Sequence, residues 1–320
     1  MSNKKNVSVI VLTYNPNYSK LLSTVRSIVC QKNVDIELII SDDGSLNDYI
    51  NEIEDFFNDI GFKDYIINKN LKNVGTVKNY LSALKIASGE YVYGISPGDL
   101  LYDDHCLNDI YEFLVENDAE ICFGKAVNYY FDDGKIVVSG ASLKPRRPQI
   151  FSPKFYSHKR AKVAFFFGNF ILGAAFMRKR DTAIQYIKRI EETAKYAEDN
   201  TSTAYAVLDH KKVLYFDRNI LWYEIGTGIS THKGKSWDSR IKADYDRTFN
   251  LLKQVFPKDP VLDAAYIEWN SFMDFKKRII NFTKHPIVHL WAKFLKLYPL
   301  MKLEISEKDK QYLIDLLSIE

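Results

Sequence analysis

Four short apolar runs alternate with stretches of helical spacing, and a fifth run closes the series. VSVIVL (7–12), IELII (36–40), Asp64 to Ile67, EYVYGI (90–95) and AEICFG (119–124) read as buried strands. Between them, Leu21, Leu22, Val25, Ile28 and Val29 mark one helix face, and Ile50, Ile53, Phe57 and Ile60 a second. Val77, Tyr80, Leu81 and Leu84 mark a third, and Leu107, Ile110, Tyr111 and Leu114 a fourth. Strand–helix alternation of this kind predicts an α/β fold, a mostly parallel sheet covered by helices. Ligands of such sheets sit outside the carboxyl ends of the strands.

Further along, Phe131-Asp132-Asp133-Gly134 predicts a hairpin turn. Ser142 to Lys162, with three prolines and no acid, reads as a loop, and so does WYEIGTGIST (222–231), in which Trp222, Gly228 and Ser230 are candidate wall or lid residues. Beyond it the pattern is helical only. Pro260 and Pro286 are placed to open helices, and Ser306 with Asp309 to cap the last one. The expected organisation is a catalytic domain over 1–235, with a nucleotide half to about 127 and an acceptor half from 128, followed by a helical region over 236–320.

Charge narrows the partners: 44 basic against 41 acidic residues is too balanced for nucleic acid as the main ligand. Three cysteines without CxxC spacing exclude a disulfide framework and a structural zinc site, and Cys30 and Cys122 read as small core residues of a reducing compartment. The apolar run at Val7–Leu12 is too short for a signal peptide. The longest apolar stretch, Ala164 to Met177, falls short of a membrane span. The expectation is a soluble cytoplasmic protein whose contact with a membrane is peripheral.

Polar clusters follow three of the strands: Thr13-Tyr14-Asn15, Ser41-Asp42-Asp43-Gly44-Ser45 and Ser96-Pro97-Gly98-Asp99. Any one of them is an ordinary turn; together they lie along the edge where a nucleotide would bind. The ordered set VSVIVLTYN, ELIISDDGS, NVGTVKNYLSALKIASGEYV and the Asp99 loop resembles family 2 glycosyltransferases of the GT-A fold, over about residues 6–127 with a looser continuation to about 231.

The resemblance implies a role for each matching position. Tyr14 would pack on the nucleobase beside the Leu12–Thr13 backbone, and Asp43 would accept a hydrogen bond from a uracil N3–H. Lys78 stands where the family often has Arg, facing the donor. The family's Asp-x-Asp-Asp loop reads Ser96, Pro97, Gly98 and Asp99 here, so Asp99 is the remaining carboxylate for Mn²⁺ or Mg²⁺. His232 and Asp103 are conceivable further ligands or plain surface residues. Asp199, with Glu198 as fallback, matches the acidic motif whose carboxylate deprotonates the acceptor hydroxyl.

The resulting expectation is an inverting transfer of a hexose or N-acetylhexosamine from a UDP-sugar to a glycan, glycoprotein or lipid-linked acceptor. GNFILGAAFM (168–177) lines the acceptor cleft or belongs to the core. The basic stretch Phe275–Lys302, with seven Lys or Arg and no acid, reads either as a surface for anionic lipid or as a packed appendage, and the helical tail as a route to a homo-oligomer. A dehydrogenase or nucleotidyltransferase would need a glycine-rich loop after the first strand, where LTYNPN stands. The rival from another class is a catalytically weak sugar-nucleotide-binding scaffold, suggested by the depleted metal loop.

Overall fold

The computed structural model describes residues 5–141, 144–168, 170–226, 235–271 and 274–318. Its centre is a nine-stranded sheet. The first half follows the predicted alternation: β1 (Val7–Thr13), α1 (Tyr18–Val29), β2 (Ile36–Asp42), α2 (Ile50–Ile60), β3 (Tyr65–Lys69), α3 (Thr76–Ile86) and β4 (Tyr91–Ile95). β3, β2, β1 and β4 lie side by side and parallel. β1 and β2 are buried on both faces almost throughout, which is why they read as unbroken apolar runs.

The second half departs from strict alternation. β5 (Leu100–Leu101), α4 (Cys106–Glu116), β6 (Ile121–Asp132) and β7 (Lys135–Ala141) follow, with β6 and β7 forming the expected hairpin. Asp133 and Gly134 both have positive φ, the backbone that a two-residue turn with right-handed strand twist requires. β8 (Phe176–Lys179) then inserts antiparallel between β4 and β6, and β9 (Val213–Glu224) pairs parallel to β6. GNFILGAAFM therefore supplies a central strand and the short 3-10 turn Gly173–Ala175 leading into it.

Two expected loops are corrected. Ser142–Lys162 contains two short 3-10 turns and the start of α5 (His158–Phe166), whose buried face of Ala161, Val163, Ala164 and Phe165 reaches the core. Trp222 is no lid residue. It lies in β9 with no exposed surface, and it stacks on Tyr102 with ring centroids 4.6 Å apart.

α6 (Arg180–Ile190) and α7 (Glu198–Leu208) cover the sheet beside α3, and the tail adds α8 (Lys235–Val255), α9 (Pro260–Asn270), α10 (Phe275–Lys284), α11 (Pro286–Leu295) and α12 (Glu307–Leu317). Pro260 and Pro286 open α9 and α11, and the Ser306–Asp309 capping box starts α12. Phe249, Leu252, Leu262 and Ala265 of the tail share one core with Tyr80, Leu84, Ile187 and Tyr205. α12 packs elsewhere, with Leu313 and Leu316 against Tyr102, Tyr129 and Trp222. All three cysteines are free thiols; burial pushes Cys106 up to about 12.

Candidate functional site

β1, β2, β4 and β9 all run the same way, so Thr13, Asp42, Ile95 and Glu224 end on one edge of the sheet. β8 runs the other way, so the Gly173–Ala175 turn that precedes it is on that edge too.

At the first two strand ends the polar residues hold one another. Thr13 Oγ1 donates to Asp42 Oδ1 at 2.9 Å, and the Asp43 amide donates to the Thr13 carbonyl at 2.9 Å. Asp43 is buried, and its carboxylate accepts from the amides of Val74 and Gly75 at 2.9 and 2.8 Å and from Asn70 Nδ2 at 3.1 Å. It thus clamps the turn that opens α3, and any base N–H would share oxygens already engaged with that turn. Gly75, at φ 93°, sits in a backbone conformation that favours glycine, and a β-carbon there would meet the Lys195 side chain.

Leu12 is half-buried and Tyr14 is 54% exposed, leaving an open ring face beside this clamp. Lys78 is ion-paired to Glu192 at 3.0 Å on the surface. Both border a cavity of about 390 Å³ whose lining includes Lys72, Glu191, Lys195 and Arg247. A larger apolar groove of about 610 Å³, between β7 and α12, contains none of these groups.

The Ser96–Asp99 turn closes with the Asp99 amide donating to the Ser96 carbonyl at 3.0 Å. Ser96 is exposed and Asp99 is buried. Thr24 Oγ1 fastens the turn to α1, accepting from the Gly98 amide at 3.0 Å and donating to the Asp99 carbonyl at 2.8 Å. Tyr129 donates to the Gly98 carbonyl.

Asp99 Oδ1 accepts from the Glu224 amide at 3.1 Å, and Glu224 Oε1 accepts from Lys20 Nζ at 2.6 Å. Glu224 Oε2 is buried without a hydrogen-bond partner. Burial raises Asp99 well above the usual carboxylate range; the Glu224 amide opposes this, the Glu224 charge adds to it, and Lys20 opposes it. Among the described residues no three His, Cys, Asp or Glu side chains cluster as a ready metal site. Even so, two carboxylates answered by one ammonium, with one oxygen orphaned, suit a hard divalent cation that takes its other ligands from phosphate and water.

Of the other candidates for this loop, Asp103 is bound to Arg218 at 2.8 Å, and its other oxygen accepts from the His105 amide at 3.0 Å. It is held by protein groups rather than facing a ligand. His232, Gly228 and Ser230 lie outside the described residues.

The acidic pair stands in the first turn of α7, where the exposed amides of a helix start favour negative charge. Asp199 Oδ1 accepts from the Asn200 amide at 2.6 Å and Oδ2 from the Gly173 amide at 3.1 Å. Any side chain at 173 would collide with Asp199, its β-carbon falling 2.5 Å from Asp199 Cβ. Burial raises the Asp199 carboxyl, against the Asn200 and Gly173 amides and the charges of Arg178 and Lys144. Burial, then the Asp199 charge, raise Glu198, against Arg178; Glu198 Oε2 has no partner. Arg178 is itself buried, its guanidinium over the rings of Phe176 and Tyr80 and bonded to Ser202 Oγ at 3.0 Å.

Four residues of this arrangement were not candidates from the sequence: Lys20, Arg178, Glu224 and Asp244. Asp244, fully buried on α8, accepts from the amides of Lys195, Tyr196 and Ala197 at 3.0, 2.7 and 3.0 Å and so holds the approach to α7. For Glu224 a signal existed, because LWYE is an apolar run ending in a polar residue, as in the earlier strands.

Residues 8–186 match the family described as Glycosyl transferase family 2. A glycosyltransferase GlyG of Streptococcus pneumoniae is 29% identical over 40% of this chain and 41% of its own. A dTDP-rhamnosyl transferase RfbG of Shigella flexneri is 25% identical over 62% of this chain and 63% of its own. The chain thus spans less than two thirds of the length of these relatives.

Among solved structures, S. aureus TarS 1–349 in complex with UDP-GlcNAc aligns with a TM-score of 0.56 at 16% identity, over 94% of this chain and 95% of that one. The mannosyltransferase PcManGT of Pyrobaculum calidifontis, in complex with GDP-Man and Mn²⁺, aligns at 0.58 and 14% identity over 98% and 80%. At these identities the likeness speaks for the fold.

Proposed function

This chain belongs to glycosyl transferase family 2; from that premise we propose that it is a glycosyltransferase that moves a hexose or N-acetylhexosamine from a uridine-diphosphate sugar to a hydroxyl of a glycan, glycoprotein or lipid-linked acceptor, with inversion. The observation that carries this reading is Asp199, a carboxylate with both oxygens aligned by backbone amides at a helix start on the ligand edge of the sheet. In a single displacement the acceptor oxygen bonds to the anomeric carbon, the bond from that carbon to the diphosphate breaks, and the acceptor proton passes to Asp199. From an α-linked donor the product is β-linked.

On the donor side, Tyr14 offers a ring to the base, Asp43 an acceptor to its imide N–H, and Lys78 a cation beside the cavity. The Asp99 loop would hold Mn²⁺ or Mg²⁺, which supplies positive charge to the leaving diphosphate. The amide-aligned carboxylate of Asp199 favours an enzyme over a scaffold, which has no use for a base.

The helical region after about residue 235 would serve acceptor access. Among the described residues, no helix is long and apolar enough to cross a membrane. On α10 and α11, however, Phe275, Ile280, Ile287 and Phe294 are exposed among basic side chains, a face that suits peripheral contact with an anionic bilayer.

Release of free nucleotide diphosphate from a panel of UDP-, dTDP- and GDP-sugars tests the reading. One UDP-sugar should be hydrolysed, and Asp199→Asn should lose at least about a thousandfold in kcat while nucleotide affinity stays within about twofold. Wild-type turnover in Asp199→Asn would remove that residue as the base. Hydrolysis of dTDP- or GDP-sugars alone would remove the uracil assignment.

A further inference from the structure

We propose that Glu224, at the end of β9, supplies the carboxylate that the Ser96–Asp99 turn lacks for holding the donor's divalent cation. The inference rests on the donor reading above and concerns a residue outside the motifs that carry the family resemblance.

Gly98 is where the turn would otherwise carry an acid, and its backbone lies in the left-handed region at φ 99°. A β-carbon built on it would collide with Glu224 Oε2, so the carboxylate of Glu224 fills the space that a side chain at 98 would enter. The replacement is delivered through the sheet: β9 runs parallel to β6, which brings its last residue to the same edge as the turn after β4. Its backbone is keyed to the same turn by the bond from the Glu224 amide to Asp99 Oδ1.

The charge count points the same way. Glu224 is 5% exposed, Asp99 is 7% exposed, and the neighbouring ammonium of Lys20 binds Oε1 only. Oε2 is left buried and unpartnered, a costly state for a carboxylate oxygen unless a cation or a donor answers it. Lys20, 29% exposed at its side chain, holds Glu224 in place and competes with a divalent ion for it.

Mn²⁺ uptake by the full chain at saturating UDP, read from the loss of the free-ion electron paramagnetic resonance signal, tests this without turnover. Glu224→Gln should weaken Mn²⁺ uptake by about tenfold or more, with UDP affinity in chelator unchanged within about twofold. Lys20→Met should tighten uptake, because the competing ammonium is gone. UDP binding in chelator also confirms that each variant is folded.

Equal Mn²⁺ affinity in Glu224→Gln and wild type would overturn the proposal. So would wild-type protein that binds UDP yet takes up no Mn²⁺, which would leave Lys20 as the resident cation. Loss of uptake in Lys20→Met to the extent seen in Glu224→Gln would mark the pair as purely structural and overturn it as well. Absence of UDP binding by the wild type would take down the donor reading and the proposal together.

Discussion

Asp199 and Glu198 are adjacent acids whose carboxyls burial pushes upward, and the charge of Asp199 raises Glu198 further. A base must be ionised to accept a proton, so turnover should rise with pH through a limb above the usual carboxylate range. The Asp199 charge raises Glu198, so Asp199 ionises first beside a neutral Glu198, and Glu198→Gln replaces one neutral group by another. That limb should then stay within about 0.3 pH unit of its wild-type position, readable in kcat/KM profiles of the two proteins. A limb that moves down by about one pH unit or more would mean that Glu198 is already ionised when Asp199 titrates.

Elements matter here by what they carry to one another. α8 is the first helix of the tail, yet Asp244 on it accepts three consecutive amides just ahead of α7. Asp244→Ala would leave those amides without their acceptor in a partly buried place. It should cost about 1–3 kcal/mol of stability, measured by denaturant unfolding, and lower kcat by loosening the start of α7. Unchanged stability together with unchanged kcat would mean that water replaces the carboxylate without loss. The same reasoning sets the use of the expected boundary near residue 235: a chain cut there loses Asp244 along with Phe249 and Leu252 from the core.

At the scale of the molecule, one side of the tail is packed and the other is not. Val288 and Leu295 are buried and Asn281 has no exposed surface, while nine large apolar side chains between 275 and 300 are exposed. An apolar face set among cations is the pattern of a helix pair lying in a membrane interface. Binding to phosphatidylglycerol vesicles should exceed binding to phosphatidylcholine vesicles and weaken with salt. Replacing Lys276, Lys277, Lys293 and Lys296 by Gln should lower the partition coefficient by at least about tenfold, since each basic group near such a surface contributes about 1 kcal/mol. Equal binding to both lipids would remove the electrostatic part of this reading. A concentration-dependent dimer without lipid binding would assign the face to a second copy of the chain.

Local pattern alone determined a large part of this protein. Doubly buried parallel strands must be nearly all apolar and the residues ending them polar, so β1, β2 and β4, their helices, and the groups Thr13, Asp43 and Asp99 could be read in order. Gly98 could be read as a departure from the family loop. What local pattern could not decide is which distant residue answers that departure. β8 is four residues long and preceded by small residues, too short to show a period, and its insertion sets the direction of β6 and β9. That direction carries Glu224 to the Asp99 turn from 125 positions away in the chain. Lys20, Arg178 and Asp244 were illegible for the same reason: a charge on a helix or strand reads as solvated until the fold surrounds it with rings, amides or another charge.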